Sequence, residues 1–293
     1  MPFKNEKQLE LGELDSKSRA TGAHIQLKDS DEPTEKRESK LTYDPVGWHN
    51  YKFFYGDGKK EAWLMSRCHL IGYQFSGLND EKKNLVPMTN WLNAGNYSGT
   101  DDQNQSSMLY YENRLDSWLA NHPNYYLDYK VNPIYQKDEL IPRQIELQYV
   151  GIDENGKLLE IKLGGSKEKV DQYSVTHVVL DNVSANAEIN YLDGTAKNTV
   201  EDAKIKEEKE KAKKEAEEKA KKEAEEKEAA EKKAKEEEQE KARQAAQEQE
   251  ESQESNSPST NSGGYFRDRK GRWHRPNGKF ASKKEIREAG LQW

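Results

Sequence analysis

Hydrophobic and polar residues alternate in several segments of the first two thirds of the chain. YYLDYKVNPIY, QIELQYVGID, LLEIKL and SVTHVVL follow a period of two, with turn-forming residues at 154–156 and 164–165. This pattern predicts antiparallel strands with one buried face. An amphipathic segment near Ser107 to Ala120 predicts a helix, which must end at His122-Pro123 because proline cannot continue a helix. We therefore expect residues 1–198 to form one α+β domain with a central antiparallel sheet.

The sequence changes at about residue 199 to a stretch of Glu, Lys and Ala. Within it the octad KKEAEEKA at Lys213 is repeated nearly intact from Lys221. Alanine and Glu–Lys pairs four residues apart both favour a helix, so residues 199–250 are predicted to be a helical spacer. No heptad seam of Leu or Ile runs along it, which favours a lone solvated helix over a coiled coil.

The last part of the chain is predicted to contain a linker and a small module. Residues 251–264 are rich in Ser, Asn and Gly, which is typical of a flexible linker. In residues 265–293, Asn277-Gly278 predicts a hairpin turn, and Ser282 with Glu285 forms a capping box for a final helix. We therefore expect a small ββα-like tail.

Composition excludes several classes of protein. Charged residues make up 34% of the chain and hydrophobic residues 32%, and the net charge of −7 arises partly from the Glu-rich stretch. The single cysteine, Cys68, excludes an internal disulfide and a multi-cysteine zinc site within one chain. No run approaches the roughly 20 apolar residues that a membrane helix needs, and the first residues lack the apolar core of a signal peptide.

One segment, WLMSRCHLIG, carries candidate chemistry. If it is a strand, Arg67 and His69 share a face, because side chains two apart point the same way. An imidazole can deprotonate water while a guanidinium stabilises charge on a phosphoryl group, which suits phosphodiester cleavage. On these two residues alone, a structural histidine at a strand end is an equal alternative.

The surrounding residues resemble a known family. Asn84 and Asn93 flank a short helical segment in LNDEKKNLVPMTNWLNAGN, and Glu112 lies on the next helix in LYYENRL. Together with Leu14-Asp15, Arg19-Ala20-Thr21 and Pro45-Val46-Gly47-Trp48, this pattern resembles the DNA/RNA non-specific endonuclease family, whose site is a ββα-metal (His-Me) finger. It looks most similar to the streptococcal and lactobacillar secreted nucleases of the streptodornase and DNA-entry type, over residues 10 to 195.

The resemblance implies a function and a role for each matching residue. His69 matches the general base, Asn93 the single protein ligand of Mg²⁺, and Glu112 an outer-sphere acidic residue. Arg67 matches an arginine that contacts phosphate, and Asn84 an asparagine that shapes the site around the substrate. Because magnesium prefers oxygen ligands and keeps several waters, one amide is an adequate protein ligand, and Mn²⁺ could replace Mg²⁺. The implied substrates are DNA and also RNA, and the implied location is outside a bacterial cell.

The sequence departs from the family motif at two positions. Ser66 stands where the family has Asp, and Cys68 where it has Gly. We expect activity to survive, since the base, the arginine and the metal ligand are present. An exposed Cys68 near Arg67 is expected to have an acidified thiol.

Two further features support weaker predictions. Arg143, at the start of QIELQYVGID, is a substrate-binding candidate that could reach phosphate, with a salt bridge as the equal alternative. The tail interleaves basic and aromatic residues, which suits phosphate contact and base stacking. The alternative for the tail is docking to a protein, such as an immunity protein or a cell-surface partner.

Two other functions remain open on the sequence. In one, the changes at Ser66 and Cys68 disable the enzyme and leave a module that only binds nucleic acid. In the other, the nuclease is the toxic effector of a secretion system. The four residues matched to catalysis and metal binding, His69, Arg67, Asn93 and Glu112, favour an active nuclease.

Overall fold

The computed structural model describes residues 1–38, 40–254 and 264–293, with the side chains of 247–254 left out of the description. It divides into two compact units, Met1–Glu210 and Lys211–Trp293. Among the described residues, no helix is both long enough and apolar enough to cross a membrane.

The first unit is built around an antiparallel sheet, which confirms the predicted α+β class. Its strands are β1 (Gln8–Leu11), β2 (Ala23–Leu27), β7 (Tyr126–Ile134), β8 (Gln144–Ile152), β9 (Leu158–Leu159), β10 (Lys169–Val170) and β11 (Thr176–Asp181). They are ordered β1-β2-β7-β8-β11-β10, with β9 pairing β8. The long central pair β7–β8 places Tyr129 opposite Tyr149. Alternate residues of these strands are fully buried, as their period of two predicts.

The remaining strands and helices of this unit are short, except for helix α3. The strands are β3 (Lys52–Tyr55), β4 (Lys60–Trp63), β5 (Met65–His69), β6 (Leu85–Thr89), β12 (Ala187–Ile189) and β13 (Ala196–Asn198). They form three hairpins, β3–β4, β5–β6 and β12–β13. The helices are α1 (Tyr73–Ser76), α2 (Asn90–Ala94) and the longer α3 (Met108–Asn121), with single 3-10 turns at Asp29–Asp31 and Lys82–Asn84.

Helix α3 closes the main hydrophobic core. The Ser107 side chain caps its start by accepting a hydrogen bond from the Tyr110 backbone N–H, and the helix ends at Asn121, just before Pro123. Its buried face, with Tyr111 and Leu115, belongs to the same core cluster as the sheet residues. This helix was predicted at 107–120, so the prediction is confirmed within one residue at each end.

Helix α4 (Ala203–Glu254) forms the predicted spacer helix. Its described side chains from Lys204 onward are exposed, as expected of a helix without an apolar seam. Ion pairs four residues apart run along it, among them Lys222 Nζ to Glu218 Oε1 at 2.8 Å. The first residues of the predicted linker, 251–254, belong to this helix, and residues 255–263 lie outside the described part of the chain.

The C-terminal residues have the predicted order of strand, strand and helix. They form β14 (Phe266–Arg267), β15 (Trp273–His274) and α5 (Lys283–Glu288). Ser282 and Glu285 make both hydrogen bonds of the predicted capping box. A small core of Trp273, Ala281 and Ile286 holds the helix on the strands.

Candidate active site

A hairpin followed at once by a helix holds the predicted catalytic residues. Strands β5 and β6 pair in antiparallel register, with Met65 opposite Thr89 and His69 opposite Leu85. Thr89 ends β6 and caps α2, because its hydroxyl accepts the Leu92 backbone N–H at 3.1 Å. Helix α2 stops at Gly95, whose φ of +79° favours glycine. The order strand, strand, helix is the ββα finger predicted from the sequence.

His69 lies at the end of β5, buried and held in one orientation. Its Nε2 atom is 2.7 Å from the backbone carbonyl oxygen of Asn79. A carbonyl oxygen only accepts hydrogen bonds, so Nε2 carries the proton and Nδ1 of the neutral ring is left with a free lone pair. Burial lowers the pKa of His69, against the opposing effect of the Asn79 hydrogen bond. Burial therefore favours the neutral ring, and in that ring Nδ1 is the basic atom.

Asn93 lies on α2, half-buried, and its amide is not used by the fold. It makes no side-chain hydrogen bond to any other described residue. By contrast, the neighbouring Asn90 donates to the Trp63 carbonyl oxygen at 2.6 Å and accepts from the Ser66 hydroxyl. Asn93 therefore has an amide oxygen free to bind a ligand.

Glu112 lies in the second turn of α3, and its carboxyl group is buried. One oxygen, Oε1, accepts the Gly72 backbone N–H at 3.0 Å. Burial raises the pKa of Glu112 to about 8, and the nearby Asp116 adds to the rise. The Tyr129 hydroxyl has no partner within normal hydrogen-bond geometry, although it is close enough to lower the Glu112 pKa slightly. Glu112 is thus a buried carboxyl group beside the segment that follows His69.

Asn84 is fully buried, and both ends of its amide bind one backbone. Its Oδ1 accepts the Ile71 N–H and its Nδ2 donates to the Ile71 carbonyl oxygen, each at 3.0 Å. Its own carbonyl oxygen accepts the Leu70 N–H at 2.8 Å. The Asn84 side chain therefore shapes the chain just after His69, and it has no exposed surface with which to contact substrate.

Arg67 lies on the same strand as His69, two residues earlier, and its guanidinium is held on three sides. Nε donates to Asp44 Oδ1 at 2.5 Å, and Nη1 donates to the Leu41 carbonyl oxygen at 3.2 Å. The guanidinium also lies 4.2 Å from the centre of the Trp48 ring. These contacts fix its position while using only part of its donor set, so the remaining N–H groups can contact an anion.

The polar sequence from Lys28 to Lys40 predicts a loop, but sequence reasoning did not place it beside the site; we call residues 34–38 and 40–44 the site loop. Tyr73 donates its hydroxyl to the Glu35 carbonyl oxygen at 3.2 Å, and Asn79 Nδ2 donates to Glu38 at 3.0 Å. Asp80 binds the backbone N–H of Tyr43 at 3.0 Å. Residues that follow His69 in the chain therefore hold this loop, and Arg67, two residues before His69, binds it as well. The loop is polar and contains no motif, so no signal in the sequence indicates that it lies next to His69.

The site loop brings a second arginine to the histidine. The positive charge of Arg37 lowers the pKa of His69, after the larger effect of burial. Arg37 is exposed and makes no hydrogen bond or ion pair with another described residue. It is therefore a free guanidinium in the electrostatic neighbourhood of the proposed base.

Comparison with known proteins identifies the family of this chain. A family model for the DNA/RNA non-specific endonucleases matches residues 3–103 and 98–151, about half of the chain. The chain belongs to the DNA/RNA non-specific endonuclease family.

Solved structures agree with this assignment. An extracellular nuclease is 50% identical, with a TM-score of 0.57 over 68% of this chain and 97% of its own. An extracellular endonuclease is 52% identical, with the same TM-score over 67% of this chain and 89% of its own. NucA from Streptococcus agalactiae with bound magnesium is more distant, at 18% identity and a TM-score of 0.48 over 66% of this chain and 80% of its own. No curated protein gives a significant match. The family match and the two relatives at 50% and 52% identity show that this endonuclease is an enzyme.

Members of this family depend on a metal ion, and the donor set of this endonuclease fits a hard cation. The described residues contain no group of three or more His, Cys, Asp or Glu arranged to hold a metal. What they do offer is the free amide of Asn93 and the buried carboxyl of Glu112. Oxygen donors supplemented by water suit Mg²⁺, which keeps much of its hydration.

The two departures of this endonuclease from its family motif both have structural partners. The Ser66 hydroxyl donates to Asn90 at the start of α2, so it links the strand to the helix. Cys68 is 2% exposed, and its Sγ lies 3.8 Å from the Met88 carbonyl oxygen. Burial raises the pKa of the Cys68 thiol well above its usual range. The prediction of an exposed, acidified thiol is therefore wrong, because the position points into the core.

Arg143 lies in a cluster of residues that is separate from the one around His69. Its Nε donates to Oε1 of the buried Glu139 at 2.6 Å, and its guanidinium lies 4.4 Å from the centre of the Tyr191 ring. These residues line a cavity with Lys137 and Asn190. No contact connects Arg143 to His69 or Asn93, and its salt bridge is the alternative that the sequence left open.

Proposed function

We propose that this endonuclease hydrolyses the phosphodiester bonds of DNA and RNA with little sequence preference, with His69 as the general base. The observation that carries the proposal is the hydrogen bond from His69 Nε2 to the Asn79 carbonyl oxygen. It leaves Nδ1 as the atom that removes a proton from the attacking water. In the proposed step water attacks the phosphorus directly and the P–O3′ bond breaks, with the 3′ oxygen as the leaving group, so the products are a 5′-phosphate and a 3′-hydroxyl and no covalent enzyme intermediate forms.

Asn93 is proposed to bind the metal ion, and Glu112 to support it from the outer sphere. Mg²⁺, or Mn²⁺ in its place, would act as a Lewis acid for the phosphate and its leaving oxygen. Asn93 suits the role because its amide is free. Glu112 suits it because a cation nearby favours the ionised carboxylate and so opposes the effect of burial on its pKa.

Two arginines are proposed to contact the phosphate. Arg67 is positioned by Asp44 and Trp48, so it pays little entropy when it binds. Arg37 has no hydrogen-bond or ion-pair partner among the residues that the structure describes, so it can turn toward substrate. Guanidinium groups suit this task because they donate two parallel hydrogen bonds to phosphate oxygens. Asn84 is not included because its side chain is fully buried, and Arg143 is not included because it lies in a separate cluster with Glu139 and Tyr191.

Digestion of nucleic acid by the purified chain tests the function. Supercoiled plasmid and total RNA are incubated with Mg²⁺, with Mn²⁺, and with EDTA. We expect both substrates to be degraded with either ion and neither with EDTA, and activity to return when Mg²⁺ is added in excess. Cleavage of plasmid but not RNA would restrict the substrate to DNA, and cleavage in EDTA would remove the metal from the mechanism.

The Arg37→Ala variant tests the contribution of the site loop. Loss of one charged hydrogen-bonding group costs about 1.5–3 kcal/mol, so kcat/KM should fall roughly 10- to 100-fold. The acid limb of the pH profile should also move to higher pH, because the charge that lowers the His69 pKa is gone.

Lys36→Ala is the matched control for this variant, since it removes a neighbouring exposed cation. We expect Lys36→Ala to keep its kcat/KM within twofold of wild type, given the small effect of most surface substitutions. Equal kcat/KM values for the two variants would contradict a specific role for Arg37.

We also propose that the chain acts outside a bacterial cell, as the two relatives at 50% and 52% identity are called extracellular. Detection of the nuclease in the culture medium of its source, with a cytosolic marker absent from that medium, tests this location. No described feature favours an immunity protein, a cell-surface partner or a toxin role, so nucleic acid is the partner proposed.

A further inference from the structure

The C-terminal module, residues 264–293, has one covered face and one open face. The strand pair β14–β15 is extended by a bridge from His274 to Phe280, which gives a three-stranded arrangement. Trp273 points to one side, where α5 covers it with Ile286. His274, its neighbour in β15, points to the other side, as the period of two requires.

Three aromatic rings form a row across the open face. Phe266 lies opposite His274, and their rings stack with centroids 5.3 Å apart at an interplanar angle of 14°. The Phe280 ring follows on the other side of His274, with centroids 4.5 Å apart. Phe280 is 57% exposed, although phenylalanine side chains are usually buried. We call these three residues the ring row.

The module that carries the ring row is rich in basic residues, and one of them contacts a ring of the row. The module contains nine Lys and Arg residues against three Asp and Glu residues. Arg272 lies 4.8 Å from the centre of the Phe280 ring, and Asp268 is the acidic group that pairs with it. Lys270 and Lys279, in the turns on either side of β15, have no acidic partner among the described residues. The open face is therefore both aromatic and cationic.

We propose that the ring row binds single-stranded nucleic acid, with unpaired bases stacking on Phe280 and its neighbours and with Lys270 and Lys279 contacting phosphates. The exposed aromatic rings indicate which class of polymer this face binds. A purely anionic polymer needs only cations, whereas an exposed aromatic row flanked by cations matches the two needs of a single strand, base stacking and charge neutralisation. Duplex DNA keeps its bases stacked inside and cannot use the rings in this way.

The module would give this nuclease a second contact with its substrate, so this inference rests on the proposed function. The two are separable in an assay because binding by the ring row needs no metal ion and no catalysis. It can therefore be measured in EDTA, where cleavage is expected to stop.

The test uses the full chain in EDTA and a fluorescein-labelled 15-nucleotide oligo(dT), with binding followed by anisotropy. The variants are Phe280→Ala, Phe280→Leu and the double variant Lys270→Gln/Lys279→Gln. Removal of one stacked ring should raise Kd about 5- to 100-fold, and leucine should not restore binding because it has no π face. The double lysine variant should lower the salt dependence of log Kd by about 0.7 for each charge removed.

Matched controls lie on other parts of the chain. Tyr173→Ala removes an aromatic ring that is 64% exposed in the first unit, and Lys221→Gln/Lys222→Gln removes two charges from the spacer helix. Both should bind oligo(dT) with the wild-type Kd. Phe280→Tyr keeps a ring and should also bind as wild type does, which shows that position 280 tolerates substitution.

Three outcomes would overturn the inference. One is an unchanged Kd for Phe280→Leu. Another is a rise in Kd on Phe280→Ala that is as large for a 15-base-pair duplex as for oligo(dT), and the third is a Phe280→Ala variant whose affinity for inorganic polyphosphate falls as much as its affinity for oligo(dT). The last two would assign the face to anions in general. None of them bears on cleavage, which the Mg²⁺ and EDTA digestion tests separately.

Discussion

Replacement of His69 by alanine is expected to reduce kcat for plasmid cleavage about 10²- to 10⁴-fold, the range that a positioned general base contributes. The variant should still bind substrate, because Arg67, Arg37 and Asn93 are unchanged. The loss should therefore appear in kcat with little change in KM. Steady-state cleavage of a labelled oligonucleotide measures both constants.

The pH profile of the wild type gives an independent check on His69. A general base must be neutral to act, and a lowered pKa keeps the imidazole neutral to more acidic pH. Activity should thus be retained below the ordinary histidine pKa of 6.5 and be lost as pH falls through the lowered value. His49→Ala, at a half-buried histidine that contacts the Asp193 carbonyl oxygen, is the control and should leave the profile unchanged. An acid limb above pH 6.5 would argue against His69 as the base.

The Asn93→Ala variant is expected to lose more than about 100-fold in activity at low Mg²⁺. Loss of an outer-sphere partner of a metal ligand typically costs 10- to 100-fold in affinity or activity, and loss of Asn93, the proposed protein ligand, should cost more. The Mg²⁺ concentration that gives half-maximal activity should rise. A titration of cleavage rate against Mg²⁺ measures this shift directly.

Two further variants sharpen the test of Asn93. Asn93→Asp restores an oxygen ligand, so it should recover part of the lost activity at a lower Mg²⁺ concentration than Asn93→Ala requires. Asn124→Ala removes an exposed amide in the loop after α3 and should titrate as wild type does. If Asn93→Ala shows a normal Mg²⁺ titration with only a reduced maximum, the amide has another role and the metal is held elsewhere.

The fold of the first unit was largely predictable, because burial imposes a period on the sequence. Strands β7 and β8 alternate between buried and half-buried residues over most of their length, and α3 is bounded by Ser107 and Pro123, so pattern and capping agree on the helix limits. The order of the strands in the sheet was not predictable. It depends on pairing between distant segments, such as Ala23 with Val131, for which local pattern carries no information.

The candidate site was predictable only where a motif reports on it. The shared strand of Arg67 and His69 follows from their spacing, and the place of Asn93 on a helix follows from the family resemblance. The orientation of the Cys68 thiol was wrongly predicted, since alternation along β5 turns it inward, away from Arg67. Arg37 was missed because its nearness to His69 depends on long-range hydrogen bonds that hold the site loop.

The partner that orients His69 is a main-chain atom, the carbonyl oxygen of Asn79. Every amino acid supplies that carbonyl, so a change of side chain at position 79 cannot delete it. The Asn79 side chain has a separate task, since it binds Glu38 in the site loop. A substitution at position 79 can therefore release Glu38 and loosen the site loop, while the acceptor that orients His69, the proposed base, stays in the main chain.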